Sequence, residues 1–282
     1  MEIIEQREAL RELLKMWRRA GDHIALVPTM GNLHEGHLSL LALAREHAER
    51  LIVTIFVNPT QFGAGEDFEK YPRTLERDKR YLKRANTDVL FVPSVETIYP
   101  FGTDSATSVT VPVLTEEFCG LGRPGHFDGV TSVVSRLFSM VQPDVAVFGE
   151  KDYQQQLVIR RMVDDMHLPI EVITGPTQRE EDGLALSSRN QYLTEQEREV
   201  APELHNALQE ISRELQSGND DYDGLEQAAI AKLDSRGFKS EYVSIRRAEN
   251  LGLPDRETDR LVVLAAAQLG KARLIDNVVV EI

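Results

Sequence analysis

Apolar residues in the first two thirds of the chain alternate between helical stripes and short continuous runs. From Arg7 to Arg19, Leu10, Leu13, Leu14 and Trp17 recur on one helical face, and Gly21 closes the segment. The run His23 to Val27 then predicts a strand, and a helical signal near Leu38 to Arg50 leads into Leu51-Ile52-Val53-Thr54-Ile55-Phe56-Val57. A β-branched run this continuous predicts a strand buried on both faces, hence a parallel sheet. Val89 to Val92, Val145 to Phe148 and Ile170 to Ile173 are further strands, preceded by helical segments at Thr74 to Arg84, Val130 to Val141 and Tyr153 to Met166.

This alternation predicts an α/β fold, a Rossmann-like doubly wound parallel sheet, over residues 1–176. Ligands of such sheets bind at the carboxyl ends of the strands. From about Thr194 the rhythm changes. Glu195 to Leu215 predicts one long helix, Ser217 to Asp221 a loop, and Leu225 to Leu233 a second helix. Strand-like segments follow at Tyr242 to Ile245, Arg260 to Ala266, Arg273 to Ile275 and Val278 to Ile282. They predict a smaller C-terminal α+β domain over 177–282. The junction Asp182 to Asn190 reads either as a loop placed to close over the first domain or as an ordinary linker.

Composition narrows the function classes. The chain has 282 residues, enough to bury a substantial core, and a formal net charge of −14. That charge argues against a broad nucleic-acid face, which needs many Lys and Arg contacts to phosphate. A single cysteine, Cys119, leaves no intrachain disulfide and suits a reducing, cytoplasmic setting. The segment Met1 to Glu8 lacks the basic and apolar regions of a secretory signal. The longest apolar run, Leu261 to Ala267, falls far short of the roughly 20 residues that cross a bilayer. No nucleic-acid or membrane partner is expected.

The most informative stretch is Pro28-Thr29-Met30-Gly31-Asn32-Leu33-His34-Glu35-Gly36-His37-Leu38-Ser39-Leu40. It reads as a strand end, a glycine turn and a helix N-terminus, where unpaired N–H groups and the positive end of the helix dipole favour an anion such as phosphate. His34 and His37 lie where that anion would rest, and imidazole donates to phosphoryl oxygen without a permanent charge. Two surface histidines, or two zinc ligands, are the alternatives. The zinc reading is weaker because the helical zinc motif His-Glu-x-x-His needs one residue more between the rings. The other strand ends, Asn58 to Gly63, Gly149 to Gln155 and Thr174 to Arg179, are polar and turn-rich. Amide side chains there (Asn58, Gln61, Gln155) both donate and accept, which suits a substrate bearing hydroxyls and a carboxylate.

Taken in order, six stretches resemble the pantothenate synthetase family, or pantoate–β-alanine ligases, of the HIGH-motif nucleotidyltransferase superfamily. They are Pro28 to Leu40, Phe56 to Phe62, Tyr71-Pro72-Arg73-Thr74 with Asp78, Arg123 to Val130, Phe148 to Gln155, and Arg179 to Asn190. The resemblance implies a homodimeric ATP-dependent ligase that joins pantoate to β-alanine, with Mg2+, through a pantoyl adenylate. By matching position it implies ATP-phosphate contacts by His34 and His37, with His37 as the acid, and further catalytic donors in Lys151 and Arg189. Nucleotide-binding segments are implied at Pro28, Thr29, Met30, Gly31, Asn32, Leu33, His34, Glu35, Gly36 and His37, at Gly149, Glu150, Lys151 and Asp152, and at Gln178, Leu186, Ser187, Ser188 and Arg189. Gln61 and Gln155, with Asn58, are implied to bind pantoate, and Asp78 to lie at magnesium. Two positions depart from the family pattern: Leu186 stands where methionine is common, and Arg136 replaces a common lysine.

Other functions are open at this point. A different adenylyltransferase, or a fragment like an aminoacyl-tRNA synthetase, would share the His-Glu-Gly-His turn and the Ser-Ser-Arg loop, although the negative charge disfavours tRNA. A nucleotide-binding regulatory module would bind ATP without exchanging pyrophosphate.

Overall fold

The computed structural model describes residues 1–63, 66 and 68–282. Its elements are β1 (Glu2–Ile4), α1 (Arg7–Ala20), β2 (Ile24–Thr29), α2 (Glu35–His47), β3 (Arg50–Ile55), α3 (Leu75–Arg84), β4 (Val89–Phe91), α4 (Val95–Ile98), α5 (Cys119–Gly122), α6 (His126–Val141), β5 (Val145–Gly149), α7 (Tyr153–Asp165), β6 (Glu171–Gly175), α8 (Glu195–Val200), α9 (Glu203–Gln216), α10 (Tyr222–Ser235), β7 (Lys239–Arg247), β8 (Arg260–Leu269) and β9 (Ala272–Glu281). They divide into two compact units. One holds Met1–Glu150 and Gln155–Pro176, the other Lys151–Gln154 and Thr177–Ile282. The four residues after Glu150 thus group with the second unit, although they precede the 176/177 boundary in sequence.

The first unit is a parallel sheet of six strands in the order β1-β4-β3-β2-β5-β6. Alternate residues of each inner strand enter different cores. Ile24 and Leu26 of β2 and Ala146 and Phe148 of β5 join α1, α6 and α7 on one face. Ala25 and Val27, with Val145 and Val147, join α2 on the other. This two-sided burial explains the continuous apolar runs. Chain order reverses beside β2, which pairs with β3 on one side and β5 on the other. That is the topological switch point, where a crevice opens above the strand ends.

The second unit is a three-stranded antiparallel sheet, β7-β8-β9, packed against α9 and α10. Leu204, Leu208, Ile211 and Leu215 of α9 meet Leu261, Val263, Ala265 and Ala267 of β8 in its core. The expected single helix over 195–215 is two helices, α8 and α9, separated at Ala201 and Pro202. Pro202 has no N–H to give the carbonyl of Arg198, so the ladder breaks there. The two short strands expected at 273–275 and 278–282 are one strand, β9, which runs through Asp276 and Asn277. Both polar residues are buried. Several starts also shift: α2 begins at Glu35, α6 at His126 and α10 at Tyr222, while β3 ends at Ile55. The short elements β1, α4 and α5 had no readable apolar period. Among the described residues, no helix is long and apolar enough to cross a membrane.

Candidate active site

After β2 the chain makes a tight turn in which Gly31 (φ 81°) and Asn32 (φ 53°) adopt left-handed conformations. A side chain at Gly31 would face Ile55 at 3.1 Å and Asp78 at 3.2 Å. The turn is pinned from beneath. Asp78, on α3 and fully buried, accepts hydrogen bonds from the backbone N–H groups of Asn32 (2.9 Å) and Leu33 (3.0 Å), and from the Thr74 hydroxyl (3.0 Å). Thr29 Oγ1 adds a bond to the carbonyl of Thr54 (2.8 Å) and accepts from Gly31 N–H (3.1 Å). Asp78, expected at magnesium, thus lies beneath the turn, where its buried oxygens receive the turn's donors. Among the described residues, no group of three His, Cys, Asp or Glu side chains is poised to hold a metal.

The pinned turn delivers the two histidines to the first turn of α2. His34 is the N-cap residue, in an extended conformation (φ −140°), and its carbonyl accepts from the N–H groups of His37 (2.8 Å) and Leu38 (3.2 Å). The rings stand 4.2 Å apart between centroids, tilted by 53°. His37 Nδ1 accepts from the backbone N–H of His34 at 3.4 Å, which in a neutral ring puts the proton on Nε2 and makes that atom a donor. Both rings are half-buried.

After β3 the turn Asn58–Gln61 is organised by Asn58, only 1% exposed. Its amide nitrogen donates to Gln61 Oε1 and to the carbonyl of Gly129, each at 3.1 Å. Its oxygen accepts from Tyr99 (2.8 Å) and from Thr60 Oγ1 (3.0 Å). Asn58, expected among the substrate contacts, is thus bonded to partners inside the protein and orients Gln61. Gln61 Nε2 in turn donates to the sulfur of Met30 (3.2 Å), so the strand ends of β2 and β3 meet through this pair. Close approach of α6 needs Gly129, where a Cβ would overlap the carbonyl oxygen of Thr60. Arg123 forms a bidentate pair with Glu66 (2.7 and 2.6 Å), and His126 Nδ1 lies 2.8 Å from the carbonyl of Gln61. The Arg123 guanidinium holds the Glu66 carboxyl below the usual carboxylate value against the opposing effect of partial burial. Gly149 ends β5, the strand next to β2, Glu150 opens the short turn that follows, and half-buried Gln155 sits in the first turn of α7.

In the second unit, residues 178–186 form a hairpin. Arg179 bridges Ala185, Leu186 N–H donates to the carbonyl of Gln178 (2.9 Å), and Glu180 N–H to that of Leu184 (2.9 Å). The outgoing arm leads into a 3-10 turn over Ser188–Tyr192, capped by Ser187 Oγ, which accepts from Arg189 N–H at 3.2 Å. Asp276 receives Arg179 bidentately (2.7 and 2.9 Å). His205 Nδ1 lies 3.2 Å from the same carboxylate, within ion-pair reach though off the line of a good hydrogen bond. Burial raises the Asp276 pKa, but His205 and Arg179 outweigh it and hold the carboxyl below its ordinary value. A cavity of about 10 Å³ brings Lys151, Ser187 and Asn190 together with His205 and Asp276. Asp152 and Gln178 are exposed, Leu186 and Arg189 half-buried.

A family model for pantoate-beta-alanine ligase matches residues 2–279. The chain belongs to the pantoate-beta-alanine ligase family. A pantothenate synthetase from Thioalkalivibrio sulfidiphilus is 52% identical over 282 residues, covering all of this chain and 99% of that one. The crystal structure of pantothenate synthetase from Thermus thermophilus superposes with a TM-score of 0.91 at 44% identity, covering 99% of both chains. A ligase of this family from Francisella tularensis, crystallised with beta-gamma ATP and beta-alanine, gives a TM-score of 0.82 at 34% identity, with 99% and 97% covered. The parallel sheet with a small antiparallel sheet is the fold of this ligase family. Sequence reasoning missed the roles of Tyr99, Arg123, His126, His205, Asp276 and Asn277. Two signals were readable: Arg123 and His126 fall in one of the six motif stretches, and Asp276-Asn277 interrupts an otherwise apolar strand.

Proposed function

We propose that this chain joins pantoate to β-alanine at the expense of ATP, and that its own residues work as follows. A pantoate carboxylate oxygen attacks the α-phosphorus of ATP; the bond from that phosphorus to the bridging β-phosphate oxygen breaks, and pyrophosphate leaves. The neutral amine of β-alanine then attacks the acyl carbon of pantoyl adenylate, the acyl–oxygen bond to AMP breaks, and the nitrogen loses a proton as the amide forms.

Two anions meet in the first step, so donors that strengthen as charge develops lower its barrier most. His37 donates from Nε2 to a phosphoryl oxygen, the polarity favoured by the acceptor role of its Nδ1. His34, Lys151 and Arg189 supply further donors, and the N–H groups at the start of α2 add the helix-end field. Gln61, its amide held in one orientation by Asn58, aligns pantoate together with Gln155. ATP arrives as its magnesium complex; Asp78 shapes the histidine turn instead of binding that ion. The family resemblance further supports a homodimer and a cytoplasmic setting, and mass in solution, about twice the 31.8 kDa of one chain, tests the first.

The observation that carries this reading is the pinned Gly31–His37 turn at the switch point of the sheet. Its test is product analysis with purified protein, MgATP, pantoate and β-alanine. Pantothenate and AMP formed in equal amounts, and only with all substrates present, are expected. ADP in place of AMP, or AMP release without pantoate, would contradict it. A nucleotide-binding regulatory module, the second reading, would release neither.

A further inference from the structure

We propose that Asp276 and Asn277, adjacent in β9, are positioning residues that set Lys151 and the Ser187-Ser188-Arg189 segment in register for adenylation. The proposal rests on the ligase reading. Successive residues of a strand point to opposite faces, yet both of these polar side chains are buried, each 4% exposed. Neither is there for hydrophobic packing, and each is matched by a specific partner. Asp276 takes the Arg179 guanidinium in a bidentate pair, and Arg179 also donates to the carbonyl of Gly183 (3.1 Å), so it ties the incoming arm and the tip of the 178–186 hairpin to β9. The hairpin's tip packs on the same group: a Cβ at Gly183 would lie 3.0 Å from the His205 ring. The outgoing arm is the one that delivers Leu186 to Arg189, and Asn190 Nδ2 locks its base by donating to the carbonyl of Ala185 (3.1 Å).

The neighbouring residue holds the other cationic segment. Asn277 Nδ2 donates to the backbone carbonyl of Lys151 at 3.0 Å, while Asn277 N–H donates to Asp276 Oδ1 at 2.8 Å. One dipeptide thus bonds to the turn bearing Lys151 and to the hairpin that leads into the turn bearing Arg189. Asn277 acts through Lys151, and Asp276 through Arg179 and the hairpin that leads to Arg189. Displacement of a donor by about an ångström costs up to about a hundredfold in rate, so this coupling bears on kcat more than on substrate KM.

Double-mutant cycles on pantoate-dependent pyrophosphate exchange test it, with the full chain and with thermal melts for every variant. Asn277→Ala is expected to lower kcat about tenfold, with the KM for pantoate unchanged. In a Lys151→Ala background the same substitution should have little further effect, because the group it positions is gone. Arg179→Lys, which keeps the charge but loses the fork, makes the second cycle with Arg189→Ala and stands independently should Asn277→Ala not fold. Losses that multiply independently in either folded cycle overturn the proposal, as does an Asn277→Ala effect confined to melting temperature. Exchange by the unsubstituted protein decides the ligase reading separately.

Discussion

Asp78 offers the sharpest test of how the histidine turn is held, because a magnesium ligand and a turn anchor predict opposite consequences for its loss. Asp78→Ala removes the acceptor for the N–H groups of Asn32 and Leu33 in a fully buried place. Each buried N–H left unpaired costs about 1–3 kcal/mol, so the two together cost about 2–6 kcal/mol. That is a large share of a typical domain stability of about 5–15 kcal/mol. Asp78→Asn retains one acceptor oxygen and should lose about half as much. The chain's one tryptophan, Trp17, lies in the core of the same unit, so urea unfolding followed by its fluorescence reads this loss directly. Magnesium dependence of pyrophosphate exchange is measured on the Asn variant in parallel. The anchor account expects a lowered urea midpoint, a lowered kcat and an unchanged half-saturating magnesium concentration. Wild-type stability with a raised magnesium requirement would refute it.

Further outcomes follow from the same geometry. His37→Ala and Lys151→Ala should each lower adenylate formation by about 10²-fold or more, the scale of a lost transition-state donor; near-normal rates in both would overturn the assigned roles. Gly129→Ala forces apart α6 and the 59–61 turn, where the added Cβ would overlap the Thr60 oxygen, and should cost about 1–3 kcal/mol while raising the KM for pantoate through Gln61. An unchanged pantoate KM in that variant would detach the turn from substrate binding. Asp276 and Glu66 have folded pKa values below their ordinary 3.8 and 4.5, so the stability they confer is complete above those ordinary values and is lost as pH falls through the depressed ones. Urea midpoints should therefore drop below about pH 4, and Asp276→Asn should flatten that drop; an equally steep drop would remove Asp276 from the account.

The sheet was legible because each inner strand is apolar on both sides, a pattern that only a parallel sheet covered by helices sustains. The histidine turn was legible because Gly31, the two histidines and a helix start lie within one short stretch. What was not legible had physical causes. The burial of Asp78 and Asn58, and the partners that take up their hydrogen bonds, depend on residues brought together only by the fold. Asp276 and Asn277 looked like a break between strands because their polarity is compensated by Arg179 and the Lys151 carbonyl, partners distant in sequence. The α8–α9 break was signalled by Pro202 and overridden by the helical period around it.

Isotope exchange between pyrophosphate and ATP, with purified protein, magnesium and pantoate and without β-alanine, tests the central claim most directly. The account predicts exchange that requires pantoate, with AMP released only once β-alanine is added. ATP binding without pantoate-dependent exchange would contradict it.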